Sequence, residues 1–272
     1  METHTLATAL PLLEHPPEEA SAFTPEALLL AVKELRRLPH TGVPEVCVLE
    51  FDGDLTDKLA RKGLTVPHET WACFHTAMGR FSVDGREAGI VARTIGGPYA
   101  VLVAEQLKAS GALIVLGLTS AGRIADELPL PSLVVIDEAI RDEGTSLHYM
   151  PASRTVRGDA ALADELTRAL AAVSLPVRRG LAWTTDAPYR ETRERIAHRA
   201  AEGALAVEMQ AAALFAFGRA RGARVGVVAH VTNAVDAQDE PFHKGPEDED
   251  EQILFAMCRA AFAAMDAVRS RP

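Results

Sequence analysis

The sequence predicts a three-layer α/β domain, with helices covering both faces of a central sheet. Short, wholly apolar runs at residues 113–117 and 132–136 are the mark of strands covered on both faces. Segments with helical patterning lie between runs of this kind. Strands that alternate with helices favour one layered sheet over a bundle or a sandwich. No internal repeat or linker interrupts the 272 residues, so one large domain is expected at residues 41–272. Residues 1–40 precede it as an extension carrying one helix.

The elements follow in order. Residues 1–24 are rich in Pro, Glu and Thr. Thr24 can cap a helix and Pro25 suits the first helical position, which predicts a helix over 25–37. Residues 45–50 read as the first buried strand. Asp84 and Gly85 form a strong hairpin signal between strands at 80–83 and 89–93. A helix is expected over 98–109, then the two apolar strands. An amphipathic helix over 159–173, a strand over 179–184 and a charged, exposed helix over 190–201 come next. A short strand at 205–207 leads into residues 209–219, whose almost unbroken apolar character predicts a buried helix. Gly222 is its expected stop. A strand at 224–231 follows. The acidic run 247–251 suits the positive end of a helix dipole and opens a last helix reaching residue 268.

Composition narrows the function. Hydrophobic residues make up 48% and aromatic ones 5%, so the core is expected to be small and aliphatic. A net charge of −10 argues against a nucleic-acid surface, which needs clustered Lys and Arg. A small anion needs only a local pocket. Cys47, Cys73 and Cys258 form no CxxC pair, so neither a disulfide framework nor a metal site is expected. Reduced thiols in a cytoplasmic protein are the plain reading. No apolar run reaches the ~18 residues of a membrane span, and Glu2 and His4 do not suit a signal peptide.

Four segments, covering roughly residues 45–235, carry a resemblance. Phe51, Asp52, Gly53 and Asp54 follow the first strand. Thr94, Ile95, Gly96, Gly97 and Pro98 form a Gly-Gly-Pro turn. Residues 117–122 stand where a Gly/Thr-rich loop is expected, followed by residues 140–149. Thr184, Thr185, Asp186, Ala187, Pro188, Tyr189 and Arg190 lead to Val207, Glu208, Met209, Gln210 and a run of alanines. Singly, each piece is explained as well by turn geometry. In this order and spacing the chain resembles the nucleoside phosphorylase superfamily, in the branch of uridine phosphorylase and the hexameric purine nucleoside phosphorylases. The resemblance implies a three-layer α/β/α fold with a central mixed sheet. It also implies a homo-oligomer, dimer or hexamer, acting on a nucleoside with phosphate as co-substrate and no cofactor.

Cleaving a nucleoside makes the ribose cation-like while the base departs with negative charge. A site must hold the ribose hydroxyls, place a nucleophile on the opposite face and donate to the base. By resemblance, Glu208, Met209 and Gln210 bind ribose, with Glu208 and Asn233 as catalytic groups. Met209 also reads as a core side chain and Glu208 as a structurally paired carboxylate. Gln210 stands where the family has Glu and supplies no negative charge. Asn233 falls near a family Asp and is no general acid at neutral pH. Gly53, Thr119 and Ser120 are the candidate phosphate contacts. The family's phosphate arginines are not at their places, about Asp57 and Gly117, and Arg93 and Arg123 are the candidate replacements. Trp183, Thr184, Thr185 and Tyr189 are the candidate base-pocket residues. His230 reads as a base contact or, more plainly, as a buried histidine. Base preference stays open. So do three readings of function: a phosphorylase, a nucleosidase using water with Asp54 or Glu50 as base, and a binding protein with a degraded site.

Overall fold

The computed structural model describes residues 11–14, 16–235 and 248–270. The helix after Thr24 is α1 (Pro25–Arg36), and the Thr24 hydroxyl accepts from the Ala27 amide at 3.2 Å. The first strand is β1 (Val46–Glu50), buried along its whole length, and it runs into α2 (Asp54–Arg61). Next come β2 (Val66–Pro67), β3 (Gly79–Val83), β4 (Arg86–Ala92), α3 (Gly97–Ala109), β5 (Ile114–Arg123), β6 (Ser132–Asp142) and β7 (Thr155–Arg157). The chain ends with α4 (Ala160–Leu170), β8 (Val177–Thr185), α5 (Arg193–Ala201), β9 (Ala204–Glu208), α6 (Ala211–Arg221), β10 (Arg224–Ala234) and α7 (Glu249–Arg269).

The strands lie in the order β10-β6-β8-β9-β5-β1-β4-β3-β2, with β7 attached to β6. The sheet is mixed: β5 runs parallel to β1 and β10, whereas β9 is antiparallel to β5 and β6 is antiparallel to β10. The β5–β10 pairing closes β10, β6, β8, β9 and β5 into a ring, from which β1, β4, β3 and β2 extend as a wing. Helices α3 and α6 pack together on one side, and α2, α4 and α7 bury apolar residues on the other. This is the expected three-layer α/β/α arrangement. Helix α1 buries Leu29 and Val32 with Ala72, so the end of the extension is docked on the domain.

Ala211, Ala212 and Ala213 are fully buried in the first turn of α6. Small side chains let this turn approach the start of α3 closely: a Cβ on Gly97 would lie 3.0 Å from the Ala213 Cβ. Two expectations change. Residues 117–122 are not a loop but the second half of β5, because Ser120, Ala121 and Gly122 continue its pairing with β10. Strand β6 likewise passes a bulge after Ile136 and runs on to Asp142 beside β8. The start of the final helix at residue 247 lies outside the described residues, as do residues 1–10.

Candidate active site

Strand β9 ends on Glu208 and turns at once into α6. Thr184 of β8 is its register partner. The Thr184 hydroxyl donates to Glu208 Oε1 (2.5 Å) and accepts from the Ala212 amide (3.0 Å). Glu208 Oε2 accepts from the amides of Gln210 (2.7 Å) and Ala211 (2.8 Å). A helix start has amides without intrahelical partners and a positive dipole end, and this carboxylate satisfies both. Burial pushes its pKa up to about 7, against the pull of these donors. Glu208 is therefore turned toward the helix, where it fixes the positions of the two residues that follow. Gln210 Oε1 accepts from the Met209 amide (3.1 Å) and lies 3.3 Å from Thr119 Oγ1 on β5.

Strand β1 ends in a parallel way. Glu50 is buried, and its Oε1 accepts from the Gly53 amide (2.7 Å) while Oε2 accepts from the Thr56 hydroxyl (2.9 Å). Burial raises its pKa too. The Gly53 amide, a candidate phosphate donor, is thus engaged by the chain's own carboxylate. Gly53 has φ +98°, and a Cβ there would meet the Arg93 side chain at 2.7 Å, so only glycine fits beneath Arg93. Arg93 lies across this loop and pairs with Asp57 at 2.5 Å. That hydrogen bond holds the Asp57 carboxyl below the usual carboxylate range.

Two cavities meet here. The larger, about 1100 Å³, is lined by Glu50, Asp52, Asp54, Asp57, Arg93 and His230, among others. The smaller, about 250 Å³, is lined by Pro188, Glu191, Glu208, Met209, Gln210 and Asn233, among others. Phe51, Asp52, Ile95, Thr119 and Ser120 line both, so the two are neighbouring compartments around one junction. At that junction the Ser120 hydroxyl donates to Asp52 Oδ1 at 3.0 Å. Lys58 and Lys62, which also line the larger cavity, are ion-paired with Asp250 and Glu251 of α7. No group of three or more His, Cys, Asp or Glu side chains among the described residues is arranged to hold a metal ion.

The structure brings Met209, Gln210, Thr119, Ser120 and Asn233 together, with Arg93 at the adjoining loop. Five expected placements are corrected. Trp183 is wholly buried, donates from Nε1 to Asp142 (2.8 Å), and has the guanidinium groups of Arg195 and Arg199 over its ring. It pairs with Val207, whereas Thr184 pairs with Glu208. Side chains alternate along a strand, so Thr184 shares the Glu208 face and Trp183 takes the opposite one. Thr184 and Thr185 are buried behind the cavity, and Thr185 accepts from the Ala187 amide (3.3 Å). Tyr189 is fully exposed and lines neither cavity. Arg123 points away and donates to the Leu128 carbonyl (3.3 Å). His230 is half-buried and faces the larger cavity.

Sequence reasoning missed Asp52, Asp57 and Glu191. Asp57 had a signal: an acid where the family carries an arginine needs a cation, and Arg93 is beside a neighbouring turn. Glu191 had none, since it lies at the start of a charged stretch that reads as surface.

The family model for the phosphorylase superfamily matches residues 45–267. A guanosine phosphorylase of Halorubrum lacusprofundi is 29% identical over 62% of this chain and 69% of its own length. The uridine phosphorylase of Salmonella typhimurium is 24% identical over 56% of this chain and 66% of its own length. Among solved structures, a uridine phosphorylase from Vibrio fischeri ES114, complexed with 6-hydroxy-1-naphthoic acid, superposes with a TM-score of 0.65 at 22% identity, covering 84% of this chain and 93% of that one. No described helix is long and apolar enough to cross a membrane. With the family model spanning most of its length and the same fold in a solved uridine phosphorylase, the chain belongs to the phosphorylase superfamily.

Proposed function

We propose that this protein is a pentosyltransferase that cleaves the N-glycosidic bond of a nucleoside with phosphate, giving free base and ribose 1-phosphate. The observation that carries the reading is the junction itself. The Met209–Gln210 turn and the Thr119–Ser120 stretch border a small cavity that adjoins the Gly53 loop. Ribose bound over Met209 would hydrogen-bond Gln210 and stand between a base in the smaller cavity and phosphate in the larger one. Phosphate would attack C1′ as the C1′–N bond breaks, with the bond's electrons leaving on the base. Arg93, Thr119 and Ser120 are its ligands in this reading. Asn233 hydrogen-bonds the base without protonating it. No cofactor is required. The protein acts in the cytoplasm as a homo-oligomer, a dimer or hexamer.

The engaged Gly53 amide and the Arg93–Asp57 pair favour a second reading in which water replaces phosphate. Asp52 at the junction is then the carboxylate placed to take its proton, since Glu50 is turned into the loop. Incubating the protein with guanosine, inosine and uridine, with and without phosphate, separates the readings. Phosphorolysis predicts base release that rises with phosphate. Equal release without phosphate would establish hydrolysis. No release from any nucleoside would leave a binding protein.

A further inference from the structure

The donors at the anion end of the site are already engaged by the chain itself. Glu50 takes the Gly53 amide, and Asp57 takes both terminal nitrogens of Arg93. The Thr119 hydroxyl donates to the Ser120 carbonyl at 2.8 Å, and the Ser120 hydroxyl to Asp52 Oδ1 at 3.0 Å. Of the carboxylates around the two cavities, Asp52 is the one, among the described residues, that lines both. It is exposed, and its second oxygen, Oδ2, accepts no hydrogen bond among the described residues. An ionised carboxylate has acceptors and no donor. The junction thus offers a spare acceptor where an anion site ordinarily offers spare donors.

We propose that Asp52 makes this compartment selective for an oxyanion that carries a proton, so that hydrogen phosphate is accepted and sulfate is refused. The proposal rests on the reading that phosphate enters the larger cavity beside the junction. Phosphate near neutral pH holds one or two O–H groups, and one of these donates to Asp52 Oδ2. Its unprotonated oxygens remain to accept from the Ser120 hydroxyl and the Arg93 guanidinium. Sulfate has the same tetrahedral shape and nearly the same size, yet it holds no proton near neutral pH. Whichever way it turns, it sets a charged acceptor against a charged acceptor. Cations alone would hold the two ions about equally, because both are compact anions. Discrimination needs an element that repels one of them, and a site built to accept a hydrogen bond rejects the ligand that lacks the donor. Pairing of Arg93 with Asp57 strengthens the effect, since it leaves less positive charge to offset the repulsion.

Calorimetric titration with inorganic phosphate and with sulfate, at neutral pH and constant ionic strength, tests this without turnover. The native protein should bind phosphate about five- to tenfold tighter than sulfate, the worth of one hydrogen bond to a charged group at an exposed position. Asp52→Asn keeps an acceptor for Ser120 and puts an N–H donor where Oδ2 stood. Sulfate should gain by it, and the two affinities should come within about twofold of each other. Asp57→Asn is the control: freeing Arg93 should strengthen both ions together and leave their ratio within about twofold of the native one. Sulfate that binds the native protein as tightly as phosphate would overturn the proposal. So would a native ratio that survives in Asp52→Asn, or phosphate that does not bind at all. Selective phosphate binding without phosphate-dependent cleavage of any nucleoside would instead sink the phosphorylase reading and leave this assignment standing. Phosphate-dependent cleavage that sulfate inhibits at concentrations equal to the KM for phosphate would do the reverse.

Discussion

The two strands that end at the site, β1 and β9, both finish on a glutamate and both run into a helix. In each case the carboxylate bends back onto amides beyond it. Glu208 takes the Gln210 and Ala211 amides and the Thr184 hydroxyl; Glu50 takes the Gly53 amide and the Thr56 hydroxyl. The same device has opposite consequences. At β9 it buries the charge behind the site and leaves Met209 and Gln210 on the cavity wall. At β1 it occupies an amide that an incoming anion would use, and Asp57 engages the nearest guanidinium. In the proposed reading the nucleoside end of the site is preorganised by an internal carboxylate, and the anion end is held in check by two.

Breaking the β9 arrangement should have the largest effect. Glu208→Ala leaves two helix amides and a buried hydroxyl without their acceptor, which should lower stability by about 2–4 kcal/mol, read as a fall in the thermal midpoint. The same group gives stability a pH dependence. Its folded pKa, about 7, lies above the ordinary value of 4.5, so the folded state holds the proton more tightly. The contribution is fully present below about pH 4.5 and is lost as pH rises through about 7. Thermal midpoints measured across that range should fall for the native protein and fall less for Glu208→Gln.

The β1 end is tested through phosphate. Arg93→Ala should raise the KM for phosphate by about three- to tenfold with the nucleoside KM little changed. Asp57→Asn should move it the other way by a smaller factor, about two- to fivefold, because the pair is solvent-exposed. Added salt should shrink both effects. Arg123→Ala should leave phosphate kinetics within about twofold, since that side chain is turned to Leu128. A large loss there would return Arg123 to the site and undo the contrast between the two ends.

The unequal legibility of the two ends has a physical cause. The buried helix after Met209 was readable because residues 211–218 are apolar or small on every side. The hairpin was readable from Asp84 and Gly85, which take the positive φ angles such a turn needs. Helix α2 was not, because eight residues with four charges give too short a pattern. Ring closure through β5 and β10 depends on partners far apart in sequence, and it converted an expected loop into a strand. Trp183 looked like a base-stacking residue by type, yet it is wholly buried, tied to Asp142 and covered by Arg195 and Arg199. Arg93 and Arg123 were both nominated by position beside a loop, and only backbone direction separates the one over Gly53 from the one that points away.

The central claim is that a nucleoside held at Met209 and Gln210 is cleaved by phosphate in the adjoining cavity. Phosphorus NMR of guanosine and phosphate incubated with the protein tests it most directly. The account predicts a ribose 1-phosphate signal that grows in step with released guanine. Guanine appearing with free ribose and no new phosphorus signal would contradict it.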